Sequence, residues 1–264
     1  MADSRLARER LLRRMERDAK KNPAPEGEHW LEQYACAVLT GKIIACRKVR
    51  LLCALLLDKI RRPEKYKPWV FNLDTANVHI AFVERFCKQP QGQLGAPLKL
   101  ELFQKARWQA IFGFVHQDTD LRQYQEVMIV EGRKNGKTTE CAAIEIDLLV
   151  NDNEGAPEIY SIATKREQAA KSYTACVNMR KQSPELFRAI RKRQGDLYYP
   201  ANLGTLSALA SAANSLDGLN AHGVLVDELA AIKNRAIYDD MKQSMSAREQ
   251  PLLFSISTNG FVRE

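Results

Sequence analysis

One segment constrains the fold of this chain more than any other, and it runs VMIVEGRKNGKTT from Val127 to Thr139. Four consecutive apolar residues predict a buried strand, and Gly132 and Gly136 predict the turn that follows it. Lys137 and Thr138 then open a stretch with helical periodicity. Backbone N–H groups at a helix N-terminus attract an anion, a lysine adds charge, and a threonine hydroxyl can ligate Mg²⁺. The segment therefore predicts a phosphate-binding loop.

The glycine spacing of this loop departs from the usual pattern by one residue. The pattern G-x-x-x-x-G-K-[ST] requires glycine at position 131, where this chain has Glu131, and the glycine follows at Gly132. The alternative is an ordinary strand–turn–helix connection with a solvated Lys137, which would have a similar sequence. Arg133 lies four residues before the lysine, where its guanidinium either reaches a γ-phosphate or is solvated. Lys134 is expected to be the more solvated of the two.

A second segment, GVLVDE from Gly223 to Glu228, predicts a buried strand that ends in two acids. Ligands of open α/β sheets bind beyond the carboxyl ends of the strands, so Asp227 suits a Mg²⁺ shell there. Glu228 suits the activation of a water that attacks the γ-phosphate. The alternative is a helix N-cap aspartate followed by a first-turn glutamate. A strand at Glu158–Ala163 separates the two segments in sequence and, with the Asp-Glu pair, favours the motor and helicase branch of P-loop ATPases.

The remaining pattern alternates strands with helices, which predicts a parallel α/β sheet. Helices are predicted over residues 1–22, 76–88, 104–115, 137–150, 165–181 and 234–246, with a helix pair in 30–62 and a short helix from Ser183. Strands are predicted at Val127–Val130, Glu158–Ala163, Val224–Asp227 and Leu252–Ser257, with an edge strand at Leu197–Tyr199. The last strand runs into Ser257-Thr258-Asn259, whose polar groups either sense the γ-phosphate or form a polar turn.

The composition excludes several classes of protein. With 264 residues and 45% hydrophobic content, the chain has enough apolar sequence to bury a core and is not disordered. Its six cysteines show neither disulfide nor zinc spacing and are expected to be reduced thiols of a cytosolic protein. The longest apolar run, Leu51–Leu57, is far too short to span a bilayer. A net charge of +8 is compatible with a polyanionic partner.

Two basic stretches stay open to more than one interpretation. Residues 1–22 form an Arg-rich helical pattern, which docks a protein partner or is a frayed basic tail. Arg188–Arg193 (RAIRKR) contacts DNA phosphates or is a solvated helix face, and the solvated face is the favoured interpretation.

In order and spacing, six blocks of the chain resemble the large subunit of tailed-phage terminases, the motor that packages viral DNA. The blocks are Phe71–Phe86, Leu102–Phe114 (LFQKARWQAIFGF), Val127–Thr139, Ile159–Ala169, Asn214–Ala230 and Gln250–Gly260. Val127–Thr139 is similar to the family's variant Walker A, Asn214–Ala230 to its Walker B, and Gln250–Gly260 to its coupling motif.

The resemblance implies a P-loop NTPase of the additional-strand catalytic-glutamate type, with a mostly parallel central sheet flanked by helices. A helical N-terminal region would cover residues 1–70 and the ATPase domain residues 71–264. ATP and Mg²⁺ would be the cofactors, with Glu228 and Arg133 catalytic, Thr138 and Asp227 on the metal, and Ser257, Thr258 and Asn259 coupling. The implied ATP-binding residues are Gln104 (with Gln109 as its rival) at the adenine, then Gly132, Arg133, Lys134, Asn135, Gly136, Lys137, Thr138 and Thr139.

As a whole, the resemblance implies an ATPase that drives double-stranded viral DNA into the procapsid in the host cytoplasm. Its expected partners are DNA, the portal protein, the small terminase subunit and further copies in a ring. Terminase large subunits normally carry a second, RNase H-like nuclease domain. Since this sequence stops at Glu264, no nuclease activity is expected from it. The alternatives are another motor such as a helicase-like translocase, and an assembly subunit that does not hydrolyse ATP.

Overall fold

The computed structural model of this chain describes residues 2–163, 166–210, 218–229 and 235–258. The chain divides into two compact units, residues 1–80 with 100–123 and residues 81–99 with 124–264. Parts of four expectations lie outside the described residues: the helix start at Lys165, the beginning and end of the 214–230 block, the helix start at Asn234, and Asn259-Gly260.

The first unit is mainly helical. A small antiparallel sheet pairs Trp69 with His116 and Phe71 with Phe114. The core between the first three helices contains fully buried Met15, Ala35 and Leu57. In chain order the elements are α1 Ala2–Lys21, α2 Trp30–Leu39, α3 Arg47–Arg61, β1 Trp69–Phe71, α4 Leu73–Phe86 (which the division between the units crosses), α5 Leu102–Phe112 and β2 Phe114–His116.

Helix α1 is a packed element of this unit, so the interpretation of residues 1–22 as a frayed tail is wrong. Leu12, Met15 and Ala19 are buried against the core because their spacing places them on one helix face. The same side of α1 forms ion pairs with α3, including Arg61–Asp18 at 2.6 Å. Burial of the apolar face, rather than helix propensity alone, holds a highly charged helix in place.

The second unit is built on a seven-stranded sheet in the order β3-β9-β8-β4-β7-β6-β5. The first five of these strands run parallel, and β6 and β5 pair antiparallel. This architecture confirms the predicted α/β fold with a mostly parallel sheet. In chain order the elements are β3 Glu126–Val130, α6 Lys137–Val150, β4 Glu158–Ala163, α7 Arg166–Gln182, α8 Pro184–Ala189, β5 Arg191–Lys192, β6 Asp196–Tyr199, β7 Gly204–Ala210, β8 Ala221–Asp227, α9 Arg235–Ser244 and β9 Leu252–Ser257.

At the centre of the sheet, the spatial order of the strands differs from their order in the sequence. Strand β9, the last in the chain, lies between β3 and β8. Strand β4 lies on the far side of β8 and does not separate the two predicted site segments. All six residues of β9 are buried, as are six of the seven in β8. Central parallel strands are covered on both faces, which explains their nearly continuous apolar sequence.

Three local predictions are wrong. The helix predicted to reach Val115 ends at Phe112, because Gly113 is its C-cap residue and the chain continues from there into β2. Strand β6 is not the sheet edge, since β5 pairs with its outer side. Strand β3 is not fully buried, since it forms the opposite edge and leaves Met128 64% and Val130 58% exposed.

The Arg188–Arg193 stretch is not one helix face. Helix α8 ends at Ala189 and the chain continues as β5. Arg193 forms a bidentate ion pair with Asp196 on the neighbouring strand, with its Nε 2.7 Å from Oδ1. The basic side chains of this stretch therefore lie on α8, on β5 and, for Arg193, in the turn between β5 and β6.

All six cysteines are free, and only Cys46 is exposed. No helix among the described residues is long and apolar enough to cross a membrane.

Candidate nucleotide site

The predicted phosphate loop connects edge strand β3 to the buried helix α6. Its backbone takes left-handed conformations at Lys134 (φ +68°) and at Gly136 (φ +79°), the residue that precedes the helix. The Glu131 N–H donates a 3.0 Å hydrogen bond to the Ser257 carbonyl, which fixes the start of the loop to β9. The first N–H groups of α6 lie at the other end of the loop, where a helix attracts anions.

The charged side chains of the loop differ in exposure. Lys137 is half-buried, and its Nζ donates a 3.2 Å hydrogen bond to the Glu131 carbonyl, so the lysine closes back over its own loop. Arg133, Lys134 and Asn135 are exposed. Along α6, Thr138 is half-buried and Thr139 is buried. A cation held over a turn of backbone amides is an arrangement that binds phosphate oxygens.

Asp227 ends β8 at the carboxyl edge of the sheet, and Glu228 follows it. Burial raises the pKa of the Asp227 carboxyl and the nearby Glu228 raises it further, while a hydrogen bond from the Glu228 backbone N–H and the charges of Lys137 and Lys171 lower it. The structure thus brings the loop lysine within electrostatic range of the predicted metal ligand. An acid destabilised by burial and by a like charge gains from a bound cation.

Glu228 has an unusual backbone conformation. Its φ is +57°, in a region that non-glycine residues rarely adopt, and its side chain is exposed to solvent. Residues in such conformations cluster at functional sites, because the surrounding structure must hold them there.

The predicted coupling residues begin at Ser257, the last residue of β9, and this strand lies between β3, which leads into the loop, and β8, which leads into the acids. Ser257 pairs in register with Val130 of β3, and its neighbour Ile256 pairs with Asp227 of β8. The Ser257 hydroxyl donates a 3.0 Å hydrogen bond to the Thr258 carbonyl. Ser257 therefore contacts the loop directly through the bond from Glu131. Asn259 lies outside the described residues.

The two glutamines considered for adenine recognition lie on α5 in the first unit. The Gln104 side chain accepts a 3.0 Å hydrogen bond from the Glu101 N–H in a capping box at the start of this helix. Gln109 is fully buried; it accepts from the Leu31 N–H and donates to Glu28 O and Asn77 Oδ1, at 2.6–2.7 Å. All three bonds are internal to the unit, so Gln109 has a structural role and not a ligand-binding one.

A cavity next to the loop was not predicted from the sequence. It has a volume of about 380 Å³, and its polar lining residues are Gln91, Thr138, Lys171, Thr174 and Asn178. Lys171 lies on α7 and is the charged member of this lining. The sequence of α7 did not indicate that Lys171 lines a cavity, because a lysine on an amphipathic helix usually points into solvent.

A buried carboxyl lies further along α6. Glu145 is fully buried and accepts hydrogen bonds from the Ser161 hydroxyl and, at 2.9 Å, from the Cys176 thiol. Burial raises its pKa to about 7, and the charge of Asp227 raises it as well, while the two hydrogen bonds lower it. Glu145 is thus electrostatically linked to the acid at the carboxyl edge of the sheet.

Comparison with known proteins gives concordant matches. Residues 102–264 match the family described as "Terminase large subunit, ATPase domain". The large terminase subunit of Enterobacteria phage HK97 is 31% identical over 186 residues, 68% of this chain and 36% of that protein. The crystal structure of the HK97 large terminase matches with a TM-score of 0.60 and 28% identity, over 69% of this chain and 37% of that one. The crystal structure of the Thermus phage P74-26 large terminase ATPase domain matches with a TM-score of 0.47 and 18% identity, over 66% of this chain and 72% of that one.

The family match and the two HK97 matches confirm the resemblance drawn from the sequence blocks. They also confirm the expected P-loop NTPase fold of the second unit. The chain spans little more than a third of the length of the HK97 relative.

Proposed function

This chain belongs to the terminase large subunit ATPase domain family, and we propose that it binds and hydrolyses ATP to drive the translocation of double-stranded viral DNA into a procapsid. The observation that supports this most directly is the register of the sheet, in which Asp227 pairs with Ile256 of β9 while the next residue, Ser257, pairs with Val130 at the start of the loop that carries Lys137. A cation and an acid at this edge match what a metal-bound triphosphate requires.

The triphosphate would lie in the loop between Gly132 and Thr139. The N–H groups at the start of α6 and the Lys137 ammonium would contact its β- and γ-phosphates, in place of the present lysine contact with the Glu131 carbonyl. Lys171 is a further cation near Asp227 and lines the cavity beside Thr138. We assign it to neutralising phosphate charge alongside Lys137.

The donor set at this edge fits Mg²⁺. This ion usually takes one or two carboxylates and completes its shell with substrate phosphates and waters, so Asp227 and the Thr138 hydroxyl would hold it. When bound, Mg²⁺ would neutralise charge on the β- and γ-phosphates. The raised pKa of Asp227 supports this assignment, because a carboxyl that is costly to ionise alone is stabilised by an adjacent cation.

Glu228 would accept a proton from the water that attacks the γ-phosphorus, and Arg133 would stabilise the charge that develops on the γ-phosphate oxygens. The exposure of both side chains leaves them accessible to substrate. Ser257 and Thr258, followed by Asn259, would respond to loss of the γ-phosphate. The hydrogen bond from Glu131 to Ser257 offers a direct path for that response.

The wider biological setting follows from the family. We propose that the chain acts in the host cytoplasm on double-stranded DNA, together with a portal protein, a small terminase subunit and further copies of itself.

Two substitutions test the proposed chemistry separately. We expect Lys137→Ala to abolish binding of a fluorescent ATP analogue, and Glu228→Gln to bind the analogue normally but to lose hydrolysis by at least 100-fold. Binding is measured by fluorescence anisotropy and hydrolysis by phosphate release. Lys181→Ala, an exposed lysine near the end of α7, is the matched control. Normal turnover in the glutamate variant would refute the choice of base, and normal binding by the lysine variant would refute the site.

A further inference from the structure

Helix α1 separates its charges between two faces. Its acidic side chains Glu9, Glu16 and Asp18 form ion pairs with Arg47, Arg50 and Arg61 of α3. These contacts neutralise the acids of α1 on the side that packs against the unit. Over the part of α1 whose side chains are described, the charge presented to solvent is therefore mainly basic.

The outward face carries a continuous row of basic residues. Arg10, Arg13, Arg17, Lys20 and Lys21 are all exposed, and their spacing of three to four residues places them along one side of the helix. Among the described side chains of α1, no acid lies in this row. The row covers about 17 Å at 1.5 Å per residue.

Such a row is unfavourable for an isolated helix. Like charges three or four residues apart repel one another by a few tenths of a kcal/mol per pair. Within the row, the pairs Arg10–Arg13, Arg13–Arg17 and Arg17–Lys20 all have this spacing. A ligand with dense negative charge would relieve the repulsion, whereas solvent alone only screens it.

We propose that this outer face of α1, defined by Arg10, Arg13, Arg17, Lys20 and Lys21, binds the phosphate backbone of double-stranded DNA. Each strand of a duplex carries a phosphate about every 3.4 Å of its axis, so about 17 Å of duplex carries roughly five phosphates per strand, a dense negative charge that complements the row. The face favours a uniform polyanion over a folded protein partner, because protein interfaces use apolar and aromatic anchors. Leu6 is the exposed large hydrophobic residue of the helix, and it lies at the end of the row.

This inference rests on the charges of α1 and not on the nucleotide site, so the two can fail independently. The test uses the full chain and a fluorescein-labelled 30-base-pair duplex of mixed sequence, with binding measured by anisotropy between 50 and 400 mM salt. The variant carries Arg10→Gln, Arg13→Gln, Arg17→Gln and Lys20→Gln, since glutamine keeps helix propensity and removes charge. A matched control replaces four exposed lysines of separate segments by glutamine: Lys42, Lys65, Lys99 and Lys181.

We expect the slope of log Kobs against log salt to become shallower by about 3 to 4 in the α1 variant, close to 0.9 for each phosphate that the variant no longer neutralises. The control should change the slope by less than 1, since its lysines come from separate segments of the chain and not from one row on a helix. Circular dichroism and phosphate release without DNA should match the wild type in both variants. An unchanged slope in the α1 variant, an equally large change in the control, or failure of the wild-type chain to bind the duplex would each overturn the proposal.

Discussion

Replacing Glu145 by glutamine tests the electrostatics beneath the proposed site. The carboxyl of Glu145 is fully buried between Ser161 of β4 and Cys176 of α7. Its ionised form is therefore disfavoured in the folded state, and its pKa rises from 4.5 to about 7. Glutamine has the same shape and can satisfy the same two neighbours without bearing a charge.

The size of the expected change in stability follows from the shift in the pKa of Glu145. A carboxyl whose pKa is higher in the folded state holds its proton there while the unfolded chain loses it, so stability falls as pH rises from 4.5 to about 7. At 1.36 kcal/mol per unit of pKa, the loss amounts to about 3 kcal/mol and is complete above pH 7. The Cys176 thiol does not titrate in this range, because burial raises its pKa well above its usual value.

Urea unfolding at a series of pH values between 5 and 8.5 measures this contribution. We expect Glu145→Gln to be close to the wild type at pH 5 and more stable by up to about 3 kcal/mol at pH 8.5. Glu26→Gln, at an exposed position in the turn after α1, is the control and should show no such divergence. A stability difference between Glu145→Gln and the wild type that is the same at every pH would refute the burial of an ionisable carboxyl at this position.

Two further substitutions test the packing of the first unit. Asp58 is 2% exposed; it accepts hydrogen bonds from Arg14 and Tyr66 at 2.6 Å and pairs with Arg62. Asp58→Ala should lower the free energy of unfolding in urea by about 3–5 kcal/mol. A loss below about 1 kcal/mol would show that the ion pairs are not formed. Gly113→Ala should lower the free energy of unfolding by about 1–3 kcal/mol, because the added Cβ would lie 2.6 Å from the Phe71 ring and 2.7 Å from the Gln109 carbonyl oxygen. If the variant unfolds thermally at the wild-type midpoint, the backbone moves freely at this position.

The sequence predicted those parts of the fold that are buried on both sides. Strands β8 and β9 were visible as apolar runs because they lie at the centre of the sheet. Strand β7, GTLSALA, was missed because its small and polar residues lack both an apolar run and a strict alternation. The edge position of β3 was also hidden, since a sequence does not show which strand lies beside it.

The predicted site shows the same division between local chemistry and tertiary arrangement. Lys137 and Asp227 were identified because phosphate and magnesium require those side chains at a helix start and a strand end. Lys171 was not, because only the packing of α7 brings it near Asp227. Likewise, the positive φ of Glu228 results from the surrounding structure and cannot be predicted from the residue type.

The central position of β9 has a consequence for how this domain is made. Parallel pairing with β3 joins residues more than 100 positions apart in the chain, and contacts of such long range form slowly. During synthesis, β3 and β8 leave the ribosome before the strand that belongs between them. The loop around Lys137 is anchored to Ser257, so it reaches its final form only when the last strand has been inserted. A ribosome-bound nascent chain that ends before β9 should therefore bind nucleotide poorly, even though it already contains both the lysine and the acids.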